Sequence, residues 1–218
     1  KNMHRTAEEE LKRAEARGIP GHRQIWKIRK EEVHRTLDRF LDLEMEEHRK
    51  TGDVPSHFEV CFGMKPFSLS DPLSSTEPLI IDSDTGAVRI LGKVDRIDLS
   101  AAGSKPLFSI VDYKSGKNAP SRAEIERGES LQLPVYASWA KTIFSNQREM
   151  RSGSFYLLRS GEKKTQIQAD DALEGLMETA RRYIREYAGA IRQGRFPLSP
   201  KKCADFCDYR HICRIREA

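Results

Sequence analysis

The spacing of hydrophobic and polar positions along the chain predicts a mixture of helices and strands. The period of an amphipathic helix, about 3.6 residues, is found over 22–50 and 171–193, residues 131–144 form a largely apolar helical segment, and residues 1–18 are polar and helix-prone. The two-residue period of a strand is found over 56–63, 88–99, 107–114 and 153–160, with a further candidate over 163–169. Pro134 fits its helix only within the first turn, where amide hydrogens lack intrahelical partners. These elements predict an α/β fold in which helices flank a central mixed sheet.

Composition divides the chain into three parts and narrows the class of protein. We predict an N-terminal helical segment over 1–55, a core domain over 56–196 and a cysteine-rich tail over 197–218. The 218 residues carry a formal net charge of +5, which permits a polyanionic partner such as DNA. No apolar run approaches the ~20 residues of a membrane helix, so we expect no membrane partner and a cytoplasmic protein. The chain starts at Lys1 rather than Met, and we expect it to be a piece of a longer one.

Three charged side chains stand at the ends of two consecutive strands that otherwise alternate with apolar residues. Asp95 belongs to the first strand, and Asp112 and Lys114 end the second. If the connection between the strands centres near residues 103–104, Asp95 lies opposite Asp112 with about 5 Å between their Cβ atoms. Lys114 is then about 7 Å further along the same face. One edge of the sheet is therefore predicted to carry two acids and an amine.

The carboxylates of Asp95 and Asp112 would repel one another at this distance, so one must be protonated or a cation must neutralise the pair. Two carboxylates suit Mg²⁺ or Mn²⁺, and an adjacent lysine can orient an attacking water and stabilise charge on a phosphate. Gln132 and Tyr136 share one face of the next helix and can reach the strand ends or a substrate phosphate. The alternative, from these residues alone, is a solvent-exposed salt bridge at the end of a sheet.

Three motifs, in this order and at this spacing, resemble those of the PD-(D/E)XK nuclease superfamily in its RecB/AddB-like exonuclease branch. That branch carries G-x-x-D-R-I-D, then D-Y-K-T-G, then Q-L-x-x-Y. Residues 92–98 match the first as "GKVDRID", 112–116 match the second as "DYKSG", with Ser115 in place of threonine, and 132–136 match the third as "QLPVY". The resemblance runs from about Glu59 to the C-terminus and implies a restriction-endonuclease-like fold.

The resemblance also implies roles for the matching residues. Asp95 and Asp112 would bind the metal ion, with the backbone carbonyl of Tyr113 as a further ligand. Lys114 would be the catalytic lysine. The last motif would support the site and the substrate through Gln132 and Tyr136.

Three further positions invite comparison with the family but receive no catalytic role. Arg96 points to the opposite face of its strand, so we interpret it as structural. Glu59 matches an acidic strand position of the family and is not assigned a part in the chemistry. His34 completes no family motif, because the glycine that precedes the family's metal-binding histidine is missing here. We interpret His34 as a packing or surface residue and expect the true equivalent upstream of Lys1.

The tail carries three cysteines, Cys203, Cys207 and Cys213, in the spacing C-x3-C-x5-C. Clustered thiolates are typical of a soft metal or an iron–sulfur cluster. Similar nucleases, AddB-like or CRISPR-associated, commonly hold a 4Fe–4S cluster on a C-x2-C-x5-C tail and one distant upstream cysteine, so the resemblance implies such a cluster in the full-length protein. Cys61 lies in a predicted core strand, and we expect the fourth ligand upstream. In this chain alone the tail is expected to be metal-free, disordered or zinc-bound.

The implied function is hydrolysis of DNA phosphodiester bonds with Mg²⁺ or Mn²⁺, in DNA repair or recombination beside a helicase. Three alternatives stay open at this point. The domain is an inactive DNA-binding module of a helicase–nuclease complex, or a cysteine-ligated structural scaffold for a partner helicase, or a CRISPR-associated RecB-like exonuclease. The intact set of Asp95, Asp112 and Lys114 favours an active enzyme over an inactive module.

Overall fold

The fold was analysed in a computed structural model that describes residues 2–65, 71–100, 106–145, 147–169 and 172–196. The elements in chain order are α1 (Asn2–Ala16), α2 (Arg23–Thr51), β1 (Val54–Phe62), β2 (Leu79–Ile81), β3 (Val88–Ile90), β4 (Gly92–Ser100), β5 (Leu107–Lys114), α3 (Arg122–Glu126), α4 (Gln132–Phe144), β6 (Glu149–Leu157), β7 (Glu162–Gln168) and α5 (Leu173–Arg192). In this part of the chain, no helix is both long enough and apolar enough to span a membrane.

The central sheet has five strands in the order β1-β4-β5-β6-β7, and β2 and β3 form a separate two-stranded sheet. Neighbours in the central sheet are antiparallel except β5 and β6, which run parallel. A parallel pair requires a crossover connection, and α4 supplies it between β5 and β6. The predicted α/β fold with a mixed sheet flanked by helices is therefore confirmed.

The hydrophobic core fills the space between one face of the sheet and helices α4 and α5. Pro134 is the third residue of α4, within its first turn as predicted. The sheet contributes Ile97, Phe108 and Ile110, and α4 contributes Leu133, Ala137 and Trp139, all at most 3% exposed. The apolar stripe of α5 is buried at its start but not at its end, because Ile191 is 60% exposed.

Two strands differ more than the others from their predicted extents. The strand expected over 88–99 is two strands interrupted at Leu91, since β3 pairs with β2 while β4 pairs with β1 and β5. Strand β6 begins at Glu149 rather than at residue 153, because parallel pairing with β5 begins already at Leu107 opposite Glu149. In both cases the pairing partner, and not the local alternation of side chains, sets the boundary of the strand.

Helix α2 lies against the other face of the sheet and is attached mainly by long polar and aromatic side chains. Its predicted apolar stripe does not enter the core, since Ile25, Ile28 and Met45 are each more than half exposed. The ring of Phe40 instead makes edge-to-face contacts with two tyrosines of the sheet, Tyr113 and Tyr156.

A buried charge network centred on Arg96 joins α2 to the sheet. The guanidinium donates to both carboxylate oxygens of Asp98, at 2.5 and 2.8 Å, and pairs with Glu44 of α2 at 2.6 Å. Its remaining terminal nitrogen donates to the hydroxyl of Tyr113 at 3.0 Å. Arg96 and Asp98 are 3% and 1% exposed, so each charge depends on the other for compensation. Arg96 is structural, as its position on the strand predicted.

Replacing Arg96 by methionine should lower the free energy of unfolding by about 3–5 kcal/mol, because the buried carboxylate of Asp98 loses its counter-charge. Arg89→Met removes the same charge from an exposed position of β3 and should change the free energy by no more than about 0.5 kcal/mol. Urea unfolding followed by circular dichroism measures both. Equal losses in the two variants would contradict the importance of the network.

Candidate active site

The register of β4 and β5 brings the two motif acids to the same level of the sheet. Arg96 is opposite Val111 and Ile97 is opposite Ile110, so the next step along the ladder places Asp95 beside Asp112. This is the pairing expected from a connection centred near residues 103–104, and that connection itself lies outside the described residues.

Asp112 is the most deeply buried member of the site, with 1% of its surface exposed. Its Oδ1 accepts a hydrogen bond of 2.6 Å from the amide of Gln132. Its Oδ2 lies 2.7 Å from Lys114 Nζ, an ion-pair distance. Among the described residues, however, this oxygen finds no hydrogen-bond partner of suitable geometry. A buried carboxylate oxygen in this state has unused capacity to bind a cation.

Gln132 joins the lysine to the acid. Its Oε1 accepts from Lys114 Nζ at 2.7 Å, and its Nε2 donates to Asp112 and, at 3.1 Å, to the hydroxyl of Tyr136. An ammonium group can only donate and an ionised carboxylate can only accept, so these two partners permit a single orientation of the amide. The one-face arrangement predicted for Gln132 and Tyr136 is therefore present at the start of α4.

Asp95 is hydrogen-bonded to the backbone of the neighbouring strand, β5. Its Oδ2 accepts a hydrogen bond of 2.9 Å from the amide of Tyr113, the residue between Asp112 and Lys114. The side chain of Tyr113 contacts Arg96 and Phe40 on the α2 face, so strand alternation directs Asp112 and Lys114 to the α4 face. The five predicted side chains thus converge at one edge of the sheet.

Gly92 has a steric role that sequence reasoning missed, although the residue was recognised as part of the first motif. A Cβ atom at this position would lie 2.5 Å from Cζ of Phe62 and 3.1 Å from Cε1 of Tyr136. Only glycine allows both rings to approach β4 this closely. The glycine of the motif therefore positions Tyr136, which in turn bonds Gln132.

Phe155 is a second residue that sequence reasoning missed. Its buried ring lies with its centroid 5.0 Å from Lys114 Nζ, within the range of a cation–π contact. Phe155 is the parallel-register partner of Asp112. The sequence signals a buried strand here, but only the order of strands in the sheet places this ring beside the lysine.

Burial raises the pKa of the Asp112 carboxyl above its ordinary value, and the negative charge of Asp95 raises it further. The ammonium group of Lys114, 2.7 Å from Oδ2, acts in the opposite direction but does not cancel the effect of burial. Burial likewise raises the pKa of Tyr136, which keeps its hydroxyl protonated. The site therefore disfavours a second negative charge unless a cation accompanies it.

The donor atoms of the site fit a hard divalent cation that also keeps water and substrate ligands. The described part of the chain contains no group of three or more His, Cys, Asp or Glu side chains suited to a metal ion. Asp95 and Asp112 would therefore supply two carboxylates and the backbone a carbonyl. Mg²⁺ is commonly held in this way, by one or two carboxylates with several waters and a substrate phosphate.

Other residues considered in the sequence lie away from this group. His34 on α2 is engaged by α1, with its Nδ1 2.9 Å from His4 Nδ1 and its Nε2 2.6 Å from Glu8, and the two imidazole rings stack. Glu59 is exposed, has a φ of +52° and pairs with Lys93. Cys61 is buried in β1 as a core thiol.

The chain belongs to the PD-(D/E)XK nuclease superfamily, whose family model matches residues 2–214. Among curated proteins it is similar to the B subunit of the ATP-dependent helicase/deoxyribonuclease of Ruminiclostridium cellulolyticum, with 29% identity over 130 residues that cover 58% of this chain and 11% of that protein. The proteins of the same name from Moorella thermoacetica and Bacillus subtilis are each 29% identical, over 109 and 124 residues, which cover 49% and 56% of this chain and 9% and 10% of theirs. The matched region is thus about a tenth of each relative.

In the presence of a chelator, Asp112→Asn should melt no lower than the wild type at neutral pH, because asparagine avoids the cost of a buried charge. An acid whose pKa is raised by folding stabilises the native state most below its ordinary pKa, and this stability is lost as pH rises through the raised pKa. The melting temperature of the variant, relative to wild type, should therefore increase over that range of pH.

Asp84→Asn, at an exposed position, is the matched control and should show a flat difference over the same range of pH. If Asp112 served only as the salt-bridge partner of Lys114, Asp112→Asn would melt lower than wild type at neutral pH. The difference would then become more unfavourable, not less, as pH rose.

Proposed function

We propose that this domain hydrolyses DNA phosphodiester bonds with a bound divalent cation, Mg²⁺ or Mn²⁺. The observation that carries the proposal is the state of Asp112: a buried carboxylate with a raised pKa and an oxygen that lacks a hydrogen bond, beside a lysine and a second acid. The chain belongs to a nuclease superfamily, which supports phosphodiester hydrolysis as the reaction. Its relatives are named deoxyribonuclease, which supports DNA as the substrate.

Asp95, Asp112 and the carbonyl of Tyr113 are proposed as the protein ligands of the cation. When bound there, the cation would polarise the phosphate and lower the pKa of an attacking water. Lys114 carries the positive charge nearest to Asp112 on this face and donates hydrogen bonds, so we assign it to orient the water and stabilise negative charge on the phosphate.

Gln132 is proposed to hold the lysine and the acid at a fixed separation. Its amide bonds both partners and has one possible orientation, so Lys114 cannot turn away without breaking the bond to Oε1. Tyr136 supports Gln132 from the following turn of α4 and completes the polar group that faces the substrate.

A helicase is the proposed partner. The relatives carry helicase and deoxyribonuclease in one name, and the matched part of the chain corresponds to about a tenth of their length. We infer that this domain acts on DNA delivered by helicase activity in the same assembly, as in DNA repair or recombination.

Asp112→Asn should abolish Mg²⁺-dependent cleavage of linear DNA while preserving the circular dichroism spectrum and DNA binding in chelator, because binding rests on several basic contacts. Millimolar Mn²⁺ should raise the melting temperature of the wild type and have little effect on the variant, since a ligand of the native state stabilises it by mass action. Asp84→Asn should behave as wild type in all three assays. Undiminished cleavage by Asp112→Asn would refute the assignment.

We also propose a 4Fe–4S cluster in the full-length protein, held by Cys203, Cys207, Cys213 and one cysteine from outside this chain. These three residues lie outside the described part of the structure, and the proposal rests on their spacing and on the family resemblance. Cys61, the remaining cysteine of the chain, is buried in the core strand β1 and is not proposed as a ligand.

Anaerobic purification of the full-length protein should give a brown sample that contains iron and sulfide, and serine at Cys203, Cys207 or Cys213 should remove the colour. Cys61→Ser is the control and should leave the iron content unchanged. A colourless, iron-free full-length protein prepared under these conditions would overturn the cluster assignment.

A further inference from the structure

A cleft of about 1230 Å³ lies on the face of the sheet opposite to the candidate active site. Helices α1 and α2 form its walls, and the segment after β6 closes its end. We refer to it as the α2 cleft, defined by Trp26, Arg29, Arg39, Tyr113 and Arg159.

The lining of the α2 cleft combines positive charge with aromatic and aliphatic side chains, the aliphatic ones being Met3, Leu11, Val33, Leu37 and Leu158. Four arginines, at positions 29, 35, 39 and 159, stand against a single carboxylate, that of Glu32. Three aromatic side chains, Trp26, Phe40 and Tyr113, also line it. The guanidinium groups of Arg29 and Arg159 take part in no ion pair with the described residues, so their charge is available to a ligand.

The α2 cleft adjoins the candidate active site through the end of β5. Tyr113 lines the cleft, while its sequence neighbours Asp112 and Lys114 face α4 on the other side of the strand. The amide of Leu158, another lining residue, donates to the carbonyl of Lys114 at 3.0 Å. Because β5 and β6 are parallel, both end at this edge of the sheet. The cleft and the lysine therefore lie on opposite faces of the same strand end.

We propose that the α2 cleft binds single-stranded DNA, as a continuation of the strand whose phosphate lies at Asp95, Asp112 and Lys114. Arginines contact the phosphates, and the indole of Trp26 stacks on a base. The inference rests on the proposed nuclease function and adds to it a second binding site for the substrate strand, on the α2 face of the sheet.

The combination of groups distinguishes single-stranded DNA from the other candidate ligands. A basic groove with interleaved aromatic rings is the arrangement by which proteins bind single strands without sequence preference. Bases in a duplex are stacked on one another and cannot present their faces to Trp26. An apolar protein segment could pack on the aliphatic residues, but it would leave the guanidinium groups of Arg29 and Arg159 desolvated without a counter-charge.

The charge contribution is tested with two double variants of the chain. Arg29→Glu with Arg159→Glu alters the cleft, and Lys27→Glu with Arg49→Glu makes the same change of net charge on exposed α2 positions outside it. Binding of a labelled oligothymidylate is measured by anisotropy, in chelator and over a salt series. The cleft pair should bind at least 10-fold more weakly than wild type. The slope of log affinity against log salt should become shallower by about 1.4, about 0.7 for each phosphate that an arginine no longer neutralises.

The stacking contribution is tested at Trp26 with two variants that share one defect. Trp26→Ala and Trp26→Phe both lose the hydrogen bond from the indole to Glu15, but only alanine removes the ring. Trp26→Ala should weaken binding about 5- to 100-fold, and Trp26→Phe should keep most of the affinity that the alanine variant loses. Trp139, the other tryptophan, is 3% exposed in the core, so binding should quench the fluorescence of Trp26 and produce no quenching in Trp26→Phe.

Three results would overturn the inference. Equal losses in the cleft pair and the surface pair would indicate attraction by net charge alone. Unchanged binding in the cleft pair and in Trp26→Ala would show that the strand lies elsewhere. Duplex DNA bound as tightly as the single strand, with the same dependence on Trp26, would exclude the assigned form of DNA. All these measurements are made without metal, so a failure of the proposed cleavage, tested separately with Asp112→Asn, is distinguishable from a failure of the cleft.

Discussion

The contact on which the rest of the site depends is the ion pair between the buried Asp112 and the partly exposed Lys114 at the end of β5. Removing a carboxylate from water is costly unless charge and hydrogen bonds replace the water. Here the replacement is incomplete, since burial still raises the pKa of Asp112 and one of its oxygens lacks a hydrogen bond within the described structure. A protein domain that only needed stability would gain by an apolar residue at this position. The incomplete compensation is what a cation-binding acid requires, because the bound cation supplies the missing charge.

The same pair explains the arrangement of the elements around it. Parallel strands β5 and β6 need a crossover, and the crossover helix α4 begins at Gln132, whose amide connects the acid to the lysine. One turn later Tyr136 fits against β4 only because Gly92 has no side chain. On the opposite face, Arg96 and its buried partners attach α2 behind the strand. Strand β5 thus carries the proposed chemistry on one face and borders the α2 cleft with the other.

Much of the site could be predicted from the sequence because its members are local. Asp95 and Asp112 belong to adjacent antiparallel strands, so alternation and the length of the connection were enough to pair them. Helical spacing placed Gln132 and Tyr136 on one face.

The break at Leu91 could not be predicted, because the side-chain pattern continues through it and only the change of partner strand reveals it. Phe155 and the α2 cleft were missed for a related reason, since they depend on the strand order and on the approach of α1 and α2 to the end of β6. The periodicity predicted the helix α2, but periodicity alone does not show that the apolar stripe of this helix stays partly exposed.

The central claim is that Asp95 and Asp112 together hold a divalent cation. Its most direct test is an anomalous difference map from crystals of the chain soaked in millimolar Mn²⁺, because manganese scatters anomalously and its position requires no assumption about activity. The account predicts a peak at the end of β4 and β5, within coordination distance of both carboxylates. A map without a peak at this edge, or with manganese bound to only one of the two acids, would contradict it.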